Sequence, residues 1–205
     1  LNNQRNESYG QSKLTFVDRL GVWLSERAIA RELPKQKDLE VLELGCGFRA
    51  THLVALSPRL KRGVGVDFKI APDLANRPNL LFHETTIEEA LSRLGGQTFD
   101  VVLLISVLEH LRDPLSVLQA TRHLLKASGI LLINVPTWRG KAFLEFSALR
   151  LGLSPKVEID DHKMYYDKRD LWPLLVRAGF LPSLIKLQYH KLGLNLFAVA
   201  RPQDA

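Results

Sequence analysis

Val41-Leu42-Glu43-Leu44-Gly45-Cys46-Gly47-Phe48-Arg49 is the stretch that decides the fold of this chain. A short apolar strand, residues 41–44, runs into two glycines one residue apart, and a helical pattern follows over 51–56. Glycines at 45 and 47 permit a sharp turn and let the backbone come within contact distance of a ligand. The next apolar stretch, 63–67, ends on Asp67, 22 residues beyond Gly45. In an open α/β sheet, ligands bind beyond the carboxyl ends of the strands, and an acid at the end of the second strand can accept both ribose hydroxyls. A Gly-x-Gly pair alone serves many tight turns. Between a strand and a helix, with the acid one strand further on, it reads as a nucleotide loop.

Working outward, apolar strands are expected at 80–83, 99–105 and 130–135, with helices at 87–94 and from Asp113-Pro114 to about 126. Asp113 suits an N-cap with proline at the first helical position, and Gly129 marks the helix end. Residues 99–105 are almost continuously apolar, as a central strand buried on both faces must be. Strict βα alternation implies a parallel sheet with helices on both sides. The last third departs from it. Residues 137–166 form a long connection with a helix expected at 141–151, and another helix spans 167–178. Strands at 184–189 and 194–200, separated by a turn at Gly193, should pair as an antiparallel hairpin. The expectation is therefore α/β, a three-layer sandwich around a seven-stranded mixed sheet with an antiparallel C-terminal hairpin. One domain is expected over 1–205: an N-terminal helical segment (1–38), a cofactor-binding core (39–136), a lid and acceptor region (137–166), and a closing helix and hairpin (167–205).

The 205 residues suffice for a single core. The polar start, 1–12, lacks the apolar region of a signal peptide, and no run reaches the roughly 20 apolar residues of a membrane span, so a cytoplasmic location is expected. The lone cysteine, Cys46, allows neither an intrachain disulfide nor a cysteine zinc site. The net charge of +6 is spread over several elements. Its one tight cluster, Arg59, Lys61 and Arg62, has no interleaved aromatics for stacking, which argues against a nucleic-acid partner.

The residues leave two ligands for the loop, a dinucleotide or S-adenosylmethionine. A dinucleotide loop presents a helix N-terminus to a pyrophosphate. Ala50 in the third-glycine position would be tolerated there, but Phe48 and Arg49 are bulky. Glu43 weighs more. A carboxylate two residues before the first glycine suits the ammonium and sulfonium of S-adenosylmethionine and repels a pyrophosphate.

At this point Val41–Gly47 resembles the first motif of the Rossmann-like (class I) methyltransferases. Phe99-Asp100-Val101-Val102, running to Val107-Leu108-Glu109-His110-Leu111, is similar to their fourth motif, and Asp67 matches their ribose acid. Residues 126–136 and the terminal hairpin look like the family's fifth strand and edge pair. The resemblance is strong over 39–136 and weaker over 160–201, and it points to the small-molecule branch that includes the ubiquinone-biosynthesis O-methyltransferases. It implies S-adenosylmethionine as cofactor and a small-molecule acceptor methylated at oxygen. Where that branch carries an acid after the third strand, this chain reads Glu84-Thr85-Thr86. The expected cofactor contacts are Glu43, Gly45, Cys46, Gly47, Asp67, Phe68, Thr85, Thr86, Ile105 and Ser106.

An oxygen acceptor also needs a base. His110, after the fourth strand, and His162, near the end of the long connection, are the candidates; each could equally organise its loop. Asp160-Asp161-His162 lacks a second spaced ligand group, so no metal site is expected. Cys46 lies in the cofactor loop and resembles no nucleophile. Trp138, Phe143, Phe146, Tyr165 and Tyr166 offer aromatic surface with which 137–166 could enclose an acceptor, and Tyr9, Lys13 and Arg19 could close from the N-terminal side. The Asn/Asp-Pro-Pro-aromatic element of amino-methylating nucleic-acid enzymes is absent. Three alternatives stay open: a non-catalytic S-adenosylmethionine-binding partner protein, an RNA methyltransferase and a nicotinamide-dependent oxidoreductase.

Overall fold

A computed structural model describes residues 16–146 and 163–202. Seven strands form one sheet: β1 (Leu39–Leu44), β2 (Leu60–Asp67), β3 (Leu80–Glu84), β4 (Phe99–Ile105), β5 (Leu125–Pro136), β6 (Ile185–His190) and β7 (Asn195–Ala200). Their order is β3-β2-β1-β4-β5-β7-β6. β1 to β5 run parallel, while β7 pairs antiparallel with both β5 and β6. The expected mixed sheet and hairpin are both present. The order reverses between β1 and β4, and the crevice outside such a switch point is where open α/β sheets bind ligands.

Alternation along the strands makes two cores. Leu42, Leu44, Val102, Leu104, Leu131 and Ile133 pack beneath α3 (Ile87–Arg93), α4 (Pro114–His123) and α6 (Lys168–Arg177). Val41, Val101, Leu103, Ile130 and Leu132 pack with Ile29 of α1 (Phe16–Glu32), with Leu33 just after it, and with Leu53 of α2 (Thr51–Leu56) on the other face. All seven residues of β4 are buried, in accord with its continuous apolar sequence. Local signals held where they acted alone. Asp113 caps α4 through the Ser116 N–H with Pro114 at its first position, and Thr86 caps α3 through the Glu89 N–H.

Several boundaries differ from expectation: β1 and β2 begin earlier, at Leu39 and Leu60, and the ends around β5 and α5 shift as well. α4 stops at His123, and residues 125–128 belong to the start of β5. The cause is tertiary: Leu125 pairs with Phe99, and Lys126 Nζ reaches Glu40 Oε2 at 2.8 Å and Asp100 Oδ2 at 3.0 Å. Gly129 is needed for space, since a Cβ there would meet the carbonyl oxygens of Lys126 and Phe99 at 2.9 and 3.0 Å. α5 (Trp138–Phe146) begins three residues before the expected Lys141. The Thr137 hydroxyl accepts from Gly140 N–H at 3.0 Å and the Thr137 carbonyl accepts from Lys141 N–H at 2.9 Å, which starts the helix early. Residues 147–162, the remainder of that expected helix and His162, lie outside the described residues, as do Tyr9 and Lys13. The hairpin turn is more strained than a single glycine predicts: Lys191 and Leu192 stand at φ 50° and 58° ahead of Gly193 at 84°. Thr137 holds this turn, its hydroxyl donating to the Gly193 carbonyl at 2.7 Å and its N–H to the Leu194 carbonyl at 2.9 Å. Because β7 returns antiparallel, the turn stands at the carboxyl end of β5, beside the switch point. Among the described residues no helix is long and apolar enough to cross a membrane.

Candidate functional site

The Gly45–Gly47 turn leaves β1 and folds onto the end of β2. Gly45 and Cys46 both donate backbone N–H to the Val66 carbonyl, at 2.8 and 3.0 Å. Gly45 and Gly47 hold φ of 73° and 74°, a region open to glycine and costly for other residues. Asp67 clamps the turn, accepting from Gly47 N–H at 2.7 Å on Oδ2 and from Phe68 N–H at 2.8 Å on Oδ1. Each carboxylate oxygen can accept more than one hydrogen bond. Phe68 is 46% exposed beside it and offers a flat apolar face.

The other expected contacts divide. Thr85 donates its N–H to the Asp67 carbonyl at 3.0 Å and its hydroxyl to Glu89, and Thr86 is used as the α3 cap. Glu84, which pairs with Asp67 across the strands, accepts from Ile70 N–H at 2.7 Å. Ile105 is buried at the end of β4, and the exposed Ser106 follows at φ 56°, its N–H on the Asn134 carbonyl at 2.8 Å. That left-handed step turns the chain out at the switch point. Cys46 is buried; burial, reinforced by the Glu43 and Asp67 carboxylates, pushes its thiol far up and keeps it inert.

Glu43 is only 1% exposed. Its Oε1 meets His52 Nδ1, from α2, at 2.8 Å, while Oε2 is buried with no partner among the described residues. A buried carboxylate with one oxygen unpartnered among the described residues, at the carboxyl end of β1, suits a cationic partner and disfavours an anionic one. His52 was not among the expected site residues. Its spacing nine residues from Glu43 carries no motif; only the return of α2 across the end of β1 joins them. Two further polar groups reach the same side of the sheet unannounced. Asn134 on β5 is fully buried, with neither side-chain nitrogen nor oxygen partnered among the described residues. Lys191, from the hairpin turn, has no hydrogen-bonded or ion-paired partner among the described residues. Burial pulls its ammonium down to about 8 against the upward push of the Glu109 carboxylate.

His110 ends the 3-10 turn Leu108–His110 after β4 and is half-buried. Its carbonyl accepts from Lys163 Nζ at 2.6 Å, and the Glu109 carbonyl accepts from Lys163 N–H at 2.7 Å. The end of the expected lid is therefore fastened to the turn that carries His110. The aromatic lid is corrected in part. Tyr166 is core, buried among α4 and α6 residues, with its hydroxyl on the Leu108 carbonyl at 3.3 Å. Tyr165 is also buried, its ring 5.6 Å from that of Trp138. Trp138 and Phe143 remain 45% and 51% exposed, with Trp138 Nε1 donating to Asp170 Oδ2 at 3.3 Å. No cluster among the described residues could hold a metal ion.

The two best-placed histidines should titrate on opposite sides of the ordinary value of 6.5. Burial opposes charge on His52, but Glu43 outweighs it and raises the pKa; for His190, burial first and then Lys191 and Arg31 lower it. Ring NMR signals assigned through the His52→Asn and His190→Asn variants should show this order. The opposite order would mean the Glu43 carboxylate is not ionised beside His52.

A family model described as a methyltransferase domain matches residues 19–182 of the 205. The ubiquinone biosynthesis O-methyltransferase of Histophilus somni is 32% identical over 108 residues, 46% of this chain and 44% of that protein. The protein of the same name from Pseudomonas aeruginosa is 32% identical over 129 residues, 60% of this chain and 52% of its own length. The chain thus spans about half the length of the curated relatives it matches. Among solved structures, magnesium protoporphyrin IX methyltransferase from Synechocystis, with bound SAH, superposes with a TM-score of 0.68 at 15% identity, covering 95% of this chain and 91% of that one. At that identity the likeness is one of fold. The glycine turn, the Asp67 clamp, the strand order and the match over 19–182 converge: this chain belongs to the methyltransferase-domain family.

Proposed function

We propose that the chain binds S-adenosylmethionine at the carboxyl ends of β1, β2 and β4 and catalyses methylation of a small-molecule acceptor at oxygen. The observation that carries the reading is Glu43, buried in the crevice with an unpaired carboxylate oxygen, where a cation is welcome and a pyrophosphate is not. Bound there, S-adenosylmethionine supplies a methyl group already activated on a sulfonium for in-line displacement. Gly45 and Gly47 let the backbone approach the ligand, Asp67 accepts from the ribose hydroxyls, and Glu43 accepts from the ammonium. Phe68 covers the adenine, and the Ile105-Ser106 turn faces the methionine part. Thr85 and Thr86 line the adenine edge. The protein's share of catalysis is alignment and exclusion of water by α1 and the 137–166 connection. His162 or His110 removes the acceptor's proton. Alanine variants of each separate them, because loss of the base lowers turnover while cofactor affinity holds.

Calorimetry tests the cofactor directly. S-adenosylhomocysteine should bind at micromolar concentration, about 8 kcal/mol, and NAD should not bind. NAD binding without the adenosyl ligand would overturn the reading in favour of an oxidoreductase. Adenosyl binding without transfer of labelled methyl to a panel of phenols and acids would favour a non-catalytic binding protein.

A further inference from the structure

Four polar side chains gather at the carboxyl edge of the sheet on the side covered by α1 and α2. Glu43 and Asn134 share that face with Val41, Ile130 and Leu132 by strand alternation. His52 comes from α2. Lys191 comes from the hairpin turn, and a Cβ added at Gly21 of α1 would lie 3.8 Å from its Nζ. Burying polar atoms without partners is costly, so such a concentration of them marks a place where a ligand completes the hydrogen bonding. Glu43 and His52 are the pair within it whose geometry is closed, at 2.8 Å, with Glu43 Oε2 and His52 Nε2 both buried and unpartnered among the described residues.

We infer that His52 is a positioning residue for the cofactor's ammonium: it holds the Glu43 carboxylate with its free oxygen towards that cation, and it gives up its proton as the cation arrives. The inference rests on the adenosyl reading above. Its chemistry follows from the two ring nitrogens. Nδ1 donates to Glu43 Oε1 whether the ring is neutral or charged. The second proton can sit only on Nε2, where it becomes a buried donor with nothing to accept it. The Glu43 charge is what retains that proton. Glu26 of α1 assists it, and Lys191 opposes it from the hairpin turn. When an ammonium binds Oε2, the carboxylate is neutralised from its other side and its hold on the imidazolium weakens. The proton leaves Nε2 for solvent, the Nδ1–H bond to Glu43 persists, and the carboxylate stays oriented.

The sign of the pH dependence follows. In the free protein the His52 pKa is raised, so the proton is present below it and must be expelled on binding. Affinity therefore rises as pH rises towards that raised value and levels off above it, by at most about tenfold per pH unit for one proton. The free protein behaves oppositely, since the stabilisation from charged His52 is full below 6.5 and lost as pH passes the raised value.

The test is calorimetry of S-adenosylhomocysteine, from about pH 6 to 7.5, in buffers of differing ionisation enthalpy. Wild type should release up to one proton per ligand bound. His52→Asn keeps a donor where Nδ1 stood and cannot titrate. It should bind within about threefold of wild type at the upper pH, with the proton release and the pH slope gone. His52→Leu, which strands Glu43, should bind at least about tenfold more weakly. The ligand's own amine titrates identically in every variant, so the difference isolates the ring. Proton release that survives in His52→Asn, or wild-type affinity in a folded His52→Leu, would overturn the inference while leaving the cofactor assignment intact. Failure of folded wild type to bind the ligand at any pH would instead overturn the cofactor assignment, and this inference with it.

Discussion

Replacing Asp67 with alanine is expected to weaken S-adenosylhomocysteine binding by about 100-fold or more. The carboxylate has two tasks, and alanine ends both. It is the acceptor proposed for the ribose, where a lost hydrogen bond to a charged group costs about 1.5–3 kcal/mol. It also accepts the N–H groups of Gly47 and Phe68, at 2.7 and 2.8 Å, and so sets the shape of the turn that must lie against the ligand. Without it those donors have no partner in the clamp, and the turn is free to relax away from the crevice. Asp67→Asn retains one acceptor oxygen but must present an amide to the other N–H, so it should fall between the two. Calorimetry alongside thermal melting distinguishes the tasks, since loss of the clamp lowers the melting temperature of the free protein and loss of the ribose contact does not. An Asp67→Ala protein that binds as tightly as wild type would show that the ribose is held elsewhere.

Gly45→Ala is expected to destabilise the fold by about 2–5 kcal/mol. The residue stands at φ 73°, where a Cβ costs about 1–2 kcal/mol. That Cβ would also come to 2.5 Å from Val107 Cγ2, in the buried turn after β4, and overpacking adds about 1–3 kcal/mol. A loss of this size is a large fraction of an ordinary domain's stability. The steric part has one identified partner, which makes it separable. Val107→Ala removes the offending methyl at the usual cost of a small cavity. In the double variant the two losses should fall short of their sum by at least about 1 kcal/mol, read from urea unfolding. Strict additivity would mean that backbone strain alone sets the need for glycine.

The sequence by itself determined the elements and their order, because local physics governs them. A period of two or of continuous apolarity along 41–44, 63–67 and 99–105 places strands whatever their partners, and the caps at Thr86 and Asp113 act within one helical turn. The glycine turn and Asp67 were legible for the same reason: positive φ demands glycine, and the acid's spacing is that of one βα unit. The hairpin was legible because a polar break between two β-rich runs leaves few alternatives. What failed were features set by partners far along the chain. The start of β5 was drawn from the helix pattern by Phe99, Glu40 and Asp100, 26 to 86 residues away from Lys126. Tyr166 read as a lid aromatic and is core, because its N–H and hydroxyl are drawn to the Pro136 and Leu108 carbonyls, 30 and 58 residues earlier.

Only the tertiary structure decided who shares the crevice. His52 was invisible beside Glu43, since an acid and a histidine nine residues apart meet only if the chain turns back at Gly45–Gly47. Lys191 was invisible because antiparallel return of β7 carries its turn to the carboxyl edge, 148 residues after Glu43. Asn134 is one polar residue in an apolar strand, and its burial without a partner among the described residues depends on what covers that face. Sequence pattern encodes what a residue does to its own turn or strand; the charge balance of a buried site is a sum over elements that only folding brings together.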